Sequence, residues 1–155
     1  MLCVWWDQKG IIYWELLQPK QTVTADLYSQ QLMRLNQALQ KKRPFTGKGK
    51  RKVILLHDNA RPHVAKTTRA TIESLDWEVL AHPAYSPDLA PTDYHLFRSM
   101  EHFFREKSYK DLESIKKDVA QFFDLKPASF YERGIKSLRE RWEKVIVSEG
   151  NYFND

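Results

Sequence analysis

Two runs of strand-forming residues, "MLCVWWD" at 1–7 and "IIYWELL" at 11–17, flank the turn signal "QKG" at 8–10, a pattern that predicts a β-hairpin at the head of the chain. The period then becomes helical. Tyr28, Leu32, Leu35 and Leu39 recur at i, i+4, i+7 and i+11 behind Thr24, whose hydroxyl suits an N-cap, and this helix is expected to end near Pro44. Lys52 to His57 reads as a buried strand, Val64, Thr68, Ile72 and Leu75 as the apolar stripe of the next helix, and "WEVLA" at 77–81 as a further short strand. A Pro-rich loop, "HPAYSPDLAPTDY", leads to Thr92, a second candidate cap, and to a helix carrying Leu96, Phe97, Met100, Phe103 and Phe104. Leu112, Ile115, Val119, Phe122 and Phe123 line one closing helix; Ile135, Leu138, Trp142, Val145 and Ile146 line the last. This order of hairpin, helix, strand, helix, strand and helices predicts an α/β fold with a mixed sheet.

Composition narrows the reading. A chain of 155 residues at 42% hydrophobic is one domain's worth, 1–155, and can bury a core. Its 25 Lys and Arg exceed its 20 Asp and Glu, and a formal charge of +5 favours a polyanionic partner such as nucleic acid over the neutral case. Cys3 is the only cysteine, which excludes a disulfide framework and a cysteine-based zinc site and makes a reducing compartment the default. No apolar run is long enough for a membrane span, and no basic segment precedes an apolar one as in a signal peptide. The chain is nevertheless abrupt at its start, since Met1 already belongs to the first strand pattern.

The unpaired acid in "HDNARPHVA", at 57–65, follows "KVILL" directly. Ligand and catalytic sites in α/β sheets lie beyond the carboxyl ends of strands, and Asp58 stands at such an end, although a strand-end Asp also serves turns. Asp93 falls in the first turn of a predicted helix, where the macrodipole favours an ionised carboxylate. Between the two lie 34 residues. Carboxylates gathered on one rim hold hard divalent cations, and a pair of such cations clamps the attacking and leaving oxygens of an in-line phosphoryl transfer.

"HDNARPHVA", "AYSPDLAPTDYHLF", the opening "MLCVWWDQKGIIYWELL" and "RGIKSLRERWEKVIVSEGNYF" closely resemble the catalytic domain of mariner-type (Tc1/mariner) transposases, including the mariner-derived half of the SET–mariner fusion protein. The likeness runs almost end to end, and the 34-residue spacing is that family's hallmark. It implies an RNase H-like mixed sheet flanked by helices, cut-and-paste DNA transposition, and Mg²⁺ or Mn²⁺ held by three aspartates. Asp58 would be the second and Asp93 the third, both catalytic metal ligands. In the family the first aspartate precedes the stretch matching "MLCVWWD". The chain is therefore expected to be an N-terminally truncated copy that lacks the family's first strand, first aspartate and helix-turn-helix domains, with weak metal binding; Asp7 lies downstream and does not take that role. The resemblance further implies DNA as partner (transposon ends in the family, nonspecific binding here), a nuclear setting and a homodimer as an open option.

Other residues have weaker claims. The basic loop "RPFTGKGKRK" at 43–52 supplies Lys48, Lys50 and Arg51 as candidate phosphate contacts, and Arg61 and His63 stand beside the acid, against the blander readings of a solvated linker and helix-start packing. His57 and His63 alone do not complete a zinc site. Trp5, Trp6 and Trp14 suit core or interface better than base stacking. Arg133, Lys136, Arg139, Arg141 and Lys144 give the last helix a basic, mostly solvated face. Three readings stay open: an enzyme that cuts or joins DNA, a domesticated DNA-binding or dimerising module, and a transposon remnant. Nothing resembles a SET domain or an S-adenosylmethionine pocket, so no methyltransferase activity is expected.

Overall fold

The computed structural model describes residues 1–147, so the final part of the family-like stretch at 133–153 lies outside the described residues. The predicted hairpin is present as β1 (Leu2–Asp7) and β2 (Gly10–Leu16). Asp7 serves its turn, its carboxylate accepting from the Lys9 amide at 2.9 Å, and Gly10 at φ 134° occupies a backbone region that side chains disfavour. Helix α1 (Ala25–Lys42) starts where expected, because the Thr24 side chain accepts from the Leu27 amide at 3.1 Å. Asp26 in its first turn and Lys41 and Lys42 in its last complement the helix dipole.

The strand expected over Lys52 to His57 is shorter, only β3 (Ile54–Leu55). After it come two short helices, α2 (Arg61–Val64) and α3 (Lys66–Ser74), where the apolar stripe predicted one. The break is Ala65, whose extended backbone (φ −63°, ψ 152°) cannot continue a helix. Thr68 holds the two pieces together by donating its hydroxyl to Pro62 O, which is why the helical spacing survives the break. Strand β4 (Glu78–Val79) pairs in parallel with β3, Ile54 opposite Glu78 and Leu55 opposite Val79. A partner of two residues limits how far β3 can extend, although Glu78 N to Val53 O and Leu80 N to Leu55 O add a bond at each end. Among the described residues the hairpin and this parallel pair are separate two-stranded sheets.

A 3₁₀ turn (Pro87–Leu89) and a π-helical segment (Thr92–Phe97) precede α4 (Arg98–Phe104), α5 (Leu112–Leu125) and α6 (Ala128–Val147). Thr92 does not cap this helix as the sequence suggested. Its hydroxyl oxygen instead accepts from Trp6 Nε1 at 3.0 Å. Asp111 caps α5 through the Ser114 amide at 2.8 Å. The apolar spacing in α6 overstates its buried face: Phe130, Tyr131 and Gly134 are buried, whereas Ile146 is exposed.

The chain divides into two compact units. The first comprises residues 1–5 and 12–85, with Ile12, Tyr28, Leu32, Leu35, Leu55, Ile72 and Trp77 as its core and Trp5 packed against it. The second comprises, among the described residues, 6–11 and 86–147, and buries Leu89, Leu96, Met100, Val119, Phe122, Phe123, Phe130 and Tyr131. No helix among the described residues is long and apolar enough to cross a membrane.

Candidate functional site

Asp58 follows β3 as predicted and its side chain is 57% exposed. Its carboxylate closes a local turn, Oδ1 accepting from the Ala60 amide at 2.9 Å, while His63 Nδ1 stands 2.6 Å from the same oxygen. The His63 approach is close without being an aligned hydrogen bond. His63 also stacks on His57, ring centroids 5.0 Å apart and planes within 3°, and lies 4.2 Å from the Tyr28 ring. The Tyr28 hydroxyl and His57 Nδ1 are hydrogen-bonded at 2.9 Å. Burial, with His63 and His82 nearby, pushes His57 down to about 4, so this ring is neutral near pH 7. Burial likewise raises the Tyr28 hydroxyl. Asn59 ties the loop to the residues after β4 through Nδ2 to His82 O at 2.9 Å.

Asp93 belongs to the second unit, exposed in the first turn of the π-helical segment, with its amide donating to Ala90 O at 2.9 Å. Its neighbours are anchored. Tyr94 donates its hydroxyl to Gly134 O at 2.5 Å and receives a bond from Ser137 Oγ at 3.2 Å. The Arg141 guanidinium lies 3.9 Å from the Tyr94 ring centre and also donates to Asp88 O at 3.3 Å. His95 Nε2 donates to Phe130 O at 2.7 Å, and its ring stacks on Phe130 at 4.2 Å and Trp6 at 6.3 Å. Burial lowers the His95 pKa, and the bond to the Phe130 carbonyl places a proton on Nε2.

Among the described residues no three His, Cys, Asp or Glu side chains form a metal-holding group. Asp58 and Asp93 are each exposed carboxylates, the oxygen donors a hard cation takes, whereas His57 is hydrogen-bonded to Tyr28 and His63 lies beside Asp58. Both acids stand out in the sequence, whereas Tyr94 and Gly134, hydrogen-bonded to each other beside Asp93, were not among the candidate residues. A lone glycine in a helical pattern was the available signal for Gly134, since such glycines usually mark close packing.

The candidate phosphate contacts all fall in the first unit. Lys48 is exposed in the loop and Arg61 opens α2, also exposed. Lys50 lies 3.5 Å from Asp76 in a solvated pair. Arg51 is partly spent on structure, donating to Leu39 O at 3.3 Å beside the Phe45 ring. On α6, Lys136 pairs with Glu132 and Arg139 with Glu143, as expected of a solvated face. Trp5 and Trp6 pack against other aromatic side chains, Trp5 on Tyr13 at 5.9 Å and Trp6 on Tyr131 at 5.8 Å.

Residues 1–48 match the family model described as a transposase, partial DDE domain. Over 152 residues the chain is 55% identical to the Mariner Mos1 transposase of Drosophila mauritiana, and over 154 residues 38% identical to the human histone-lysine N-methyltransferase SETMAR. It spans less than half of these relatives, 44% of the first and 22% of the second, while nearly all of the chain, 98% and 99%, is matched. Structures of the Mos1 catalytic domain with raltegravir and Mn or Mg superimpose with TM-scores of 0.95 at 56% identity, covering 99% of this chain and 76% of theirs. A Mos1 paired-end complex with the left transposon end matches at a TM-score of 0.93 and 56% identity, over 99% of this chain and 44% of that one. The two-sheet α/β architecture is thus RNase H-like, and the chain belongs to the mariner transposases, matching their catalytic domain.

Proposed function

We propose that the chain carries part of a metal-dependent DNA strand cleavage and transfer site, with Asp58 and Asp93 as carboxylate ligands for Mg²⁺ or Mn²⁺. What supports this most is the 56% identity to a catalytic domain solved with both metals, along a chain that keeps an exposed aspartate after β3 and another in the π-helical turn. When bound, such ions stabilise the attacking and leaving oxygens of phosphoryl transfer. The protein's own part is to fix the carboxylates. Asp58 is held by the Ala60 amide and His63, and the residues beside Asp93 are held by Trp6 and α6.

DNA is the proposed partner. Lys48, Lys50, Arg51, Arg61 and His63 would meet phosphates without reading sequence, which gives nonspecific binding, and the nucleus is the compartment proposed with a DNA partner. The paired-end assembly of Mos1 supports a homodimer as the working form. Two carboxylates bind Mg²⁺ weakly, so residues 1–155 by themselves are expected to bind DNA without nicking it. A plasmid assay in Mg²⁺ and Mn²⁺, alongside DNA binding at low salt, tests this. Nicking that disappears in Asp58→Ala would refute the inactivity, and failure to retain DNA at low salt would refute the DNA reading.

A further inference from the structure

We propose that Tyr94 is a positioning residue for Asp93, its hydroxyl holding the π-helical turn in the register that aims the neighbouring carboxylate. The inference rests on the reading of Asp93 as a metal ligand.

π-Helical turns are rare and concentrate at functional sites, because i→i+5 bonding is not a form that local propensity selects. Something outside Thr92–Phe97 must therefore hold it. Three of its residues are tied down: Thr92 by Trp6 at 3.0 Å, Tyr94 by Gly134 O at 2.5 Å and His95 by Phe130 O at 2.7 Å. Asp93 stands between the first two of these anchors, exposed. A one-residue slip toward α-helical register turns side chains by about 100° about the axis, enough to carry a carboxylate from one face to another. Thr92 and Tyr94 both flank Asp93, and of the two the Tyr94 bond can be deleted by removing a single oxygen while the ring keeps its place under Arg141. Gly134 makes the bond reachable. A Cβ there would come 2.8 Å from Trp6 and 2.9 Å from His95 Cγ, so only glycine lets α6 approach closely enough to present its carbonyl.

The test uses the full chain, Mn²⁺ as probe and the variants Tyr94→Phe, Asp93→Asn and their combination. Mn²⁺ affinity is read from the electron spin resonance signal of the free ion, and the Asp93 side-chain rotamer from NMR three-bond couplings without metal. Tyr94→Phe is expected to average the Asp93 couplings and weaken Mn²⁺ binding about tenfold or more, the scale at which outer-shell partners of ligands act. The double variant should bind no more weakly than Asp93→Asn. A purely structural hydroxyl would lower the unfolding midpoint and leave both readouts alone. Unchanged Asp93 couplings in folded Tyr94→Phe overturn the positioning role whatever the metal does. Unchanged Mn²⁺ binding in Asp93→Asn overturns the ligand reading instead, which separates the two failures. Should Tyr94→Phe unfold, 4-fluorophenylalanine at position 94 fills the space of the hydroxyl but cannot donate to Gly134 O, and it is expected to shift the couplings in the same direction; no shift there counts against the proposal.

Discussion

Gly134 lies against the imidazole of His95 so closely that a methyl group at its Cα would come 2.9 Å from His95 Cγ, and nearer still to Cδ2, with Trp6 at 2.8 Å on the same side. On an open helix face, Gly→Ala would stabilise by roughly 1 kcal/mol through helix propensity. Here the added carbon must displace two rings that are themselves hydrogen-bonded, and overpacking of this kind costs about 1–3 kcal/mol. Gly134→Ala is therefore expected to lower stability, seen as a lower urea midpoint. A raised midpoint would show that α6 stands further from the π-helical turn than these distances require.

Glu15 gives a pH signature within the first unit. Burial alone would raise its carboxyl, but bonds from Tyr13, Gln31 and Arg34 together with the Arg34 charge outweigh it and hold the group below the usual range. A depressed folded pKa means the ionised group favours the folded state above its unfolded value of about 4.3, and that this contribution fades as pH falls through the lower folded value. Thermal unfolding followed from pH 7 to pH 3 should show Glu15→Gln losing less stability than the parent over the acid limb. Parallel curves would contradict the assignment.

The basic residues carry a separate expectation. Lys48 and Arg61 are exposed, whereas Arg51 is engaged by Leu39 O. Removing one cationic side chain that neutralises a phosphate should flatten the plot of log affinity against log salt by about 0.9. Lys48→Ala and Arg61→Ala are expected to do this on any duplex sequence, checked by fluorescence anisotropy across a salt series. Slopes equal to the parent's would remove these two side chains from the interface.

Much of this was legible locally. Thr24 and the Tyr28 to Leu35 spacing marked α1 because cap and period lie within a few residues of each other. The same cue misled at Thr92, whose hydroxyl is claimed by Trp6, 86 positions away, a competition no local window contains. The break at Ala65 was hidden because Thr68 reaches Pro62 O across it and preserves the spacing. Asp58 announced itself by its place after a strand, but its tie to His63 and the His57–His63 stack depend on how the chain turns through "NARP". The π-helical form around Asp93 left no periodic trace, since its anchors sit on α6 and the hairpin tip.

Paramagnetic broadening of backbone amide signals as Mn²⁺ is added to residues 1–155 tests most directly the proposal that Asp58 and Asp93 are ligands for divalent metal. The method registers weak binding. The amides around Asp58 and those around Asp93 should both broaden as Mn²⁺ is added, and Asp58→Asn and Asp93→Asn should each relieve the broadening at the substituted position. Amides that do not broaden around either aspartate, or broadening that persists after that aspartate is replaced by Asn, would contradict the proposal.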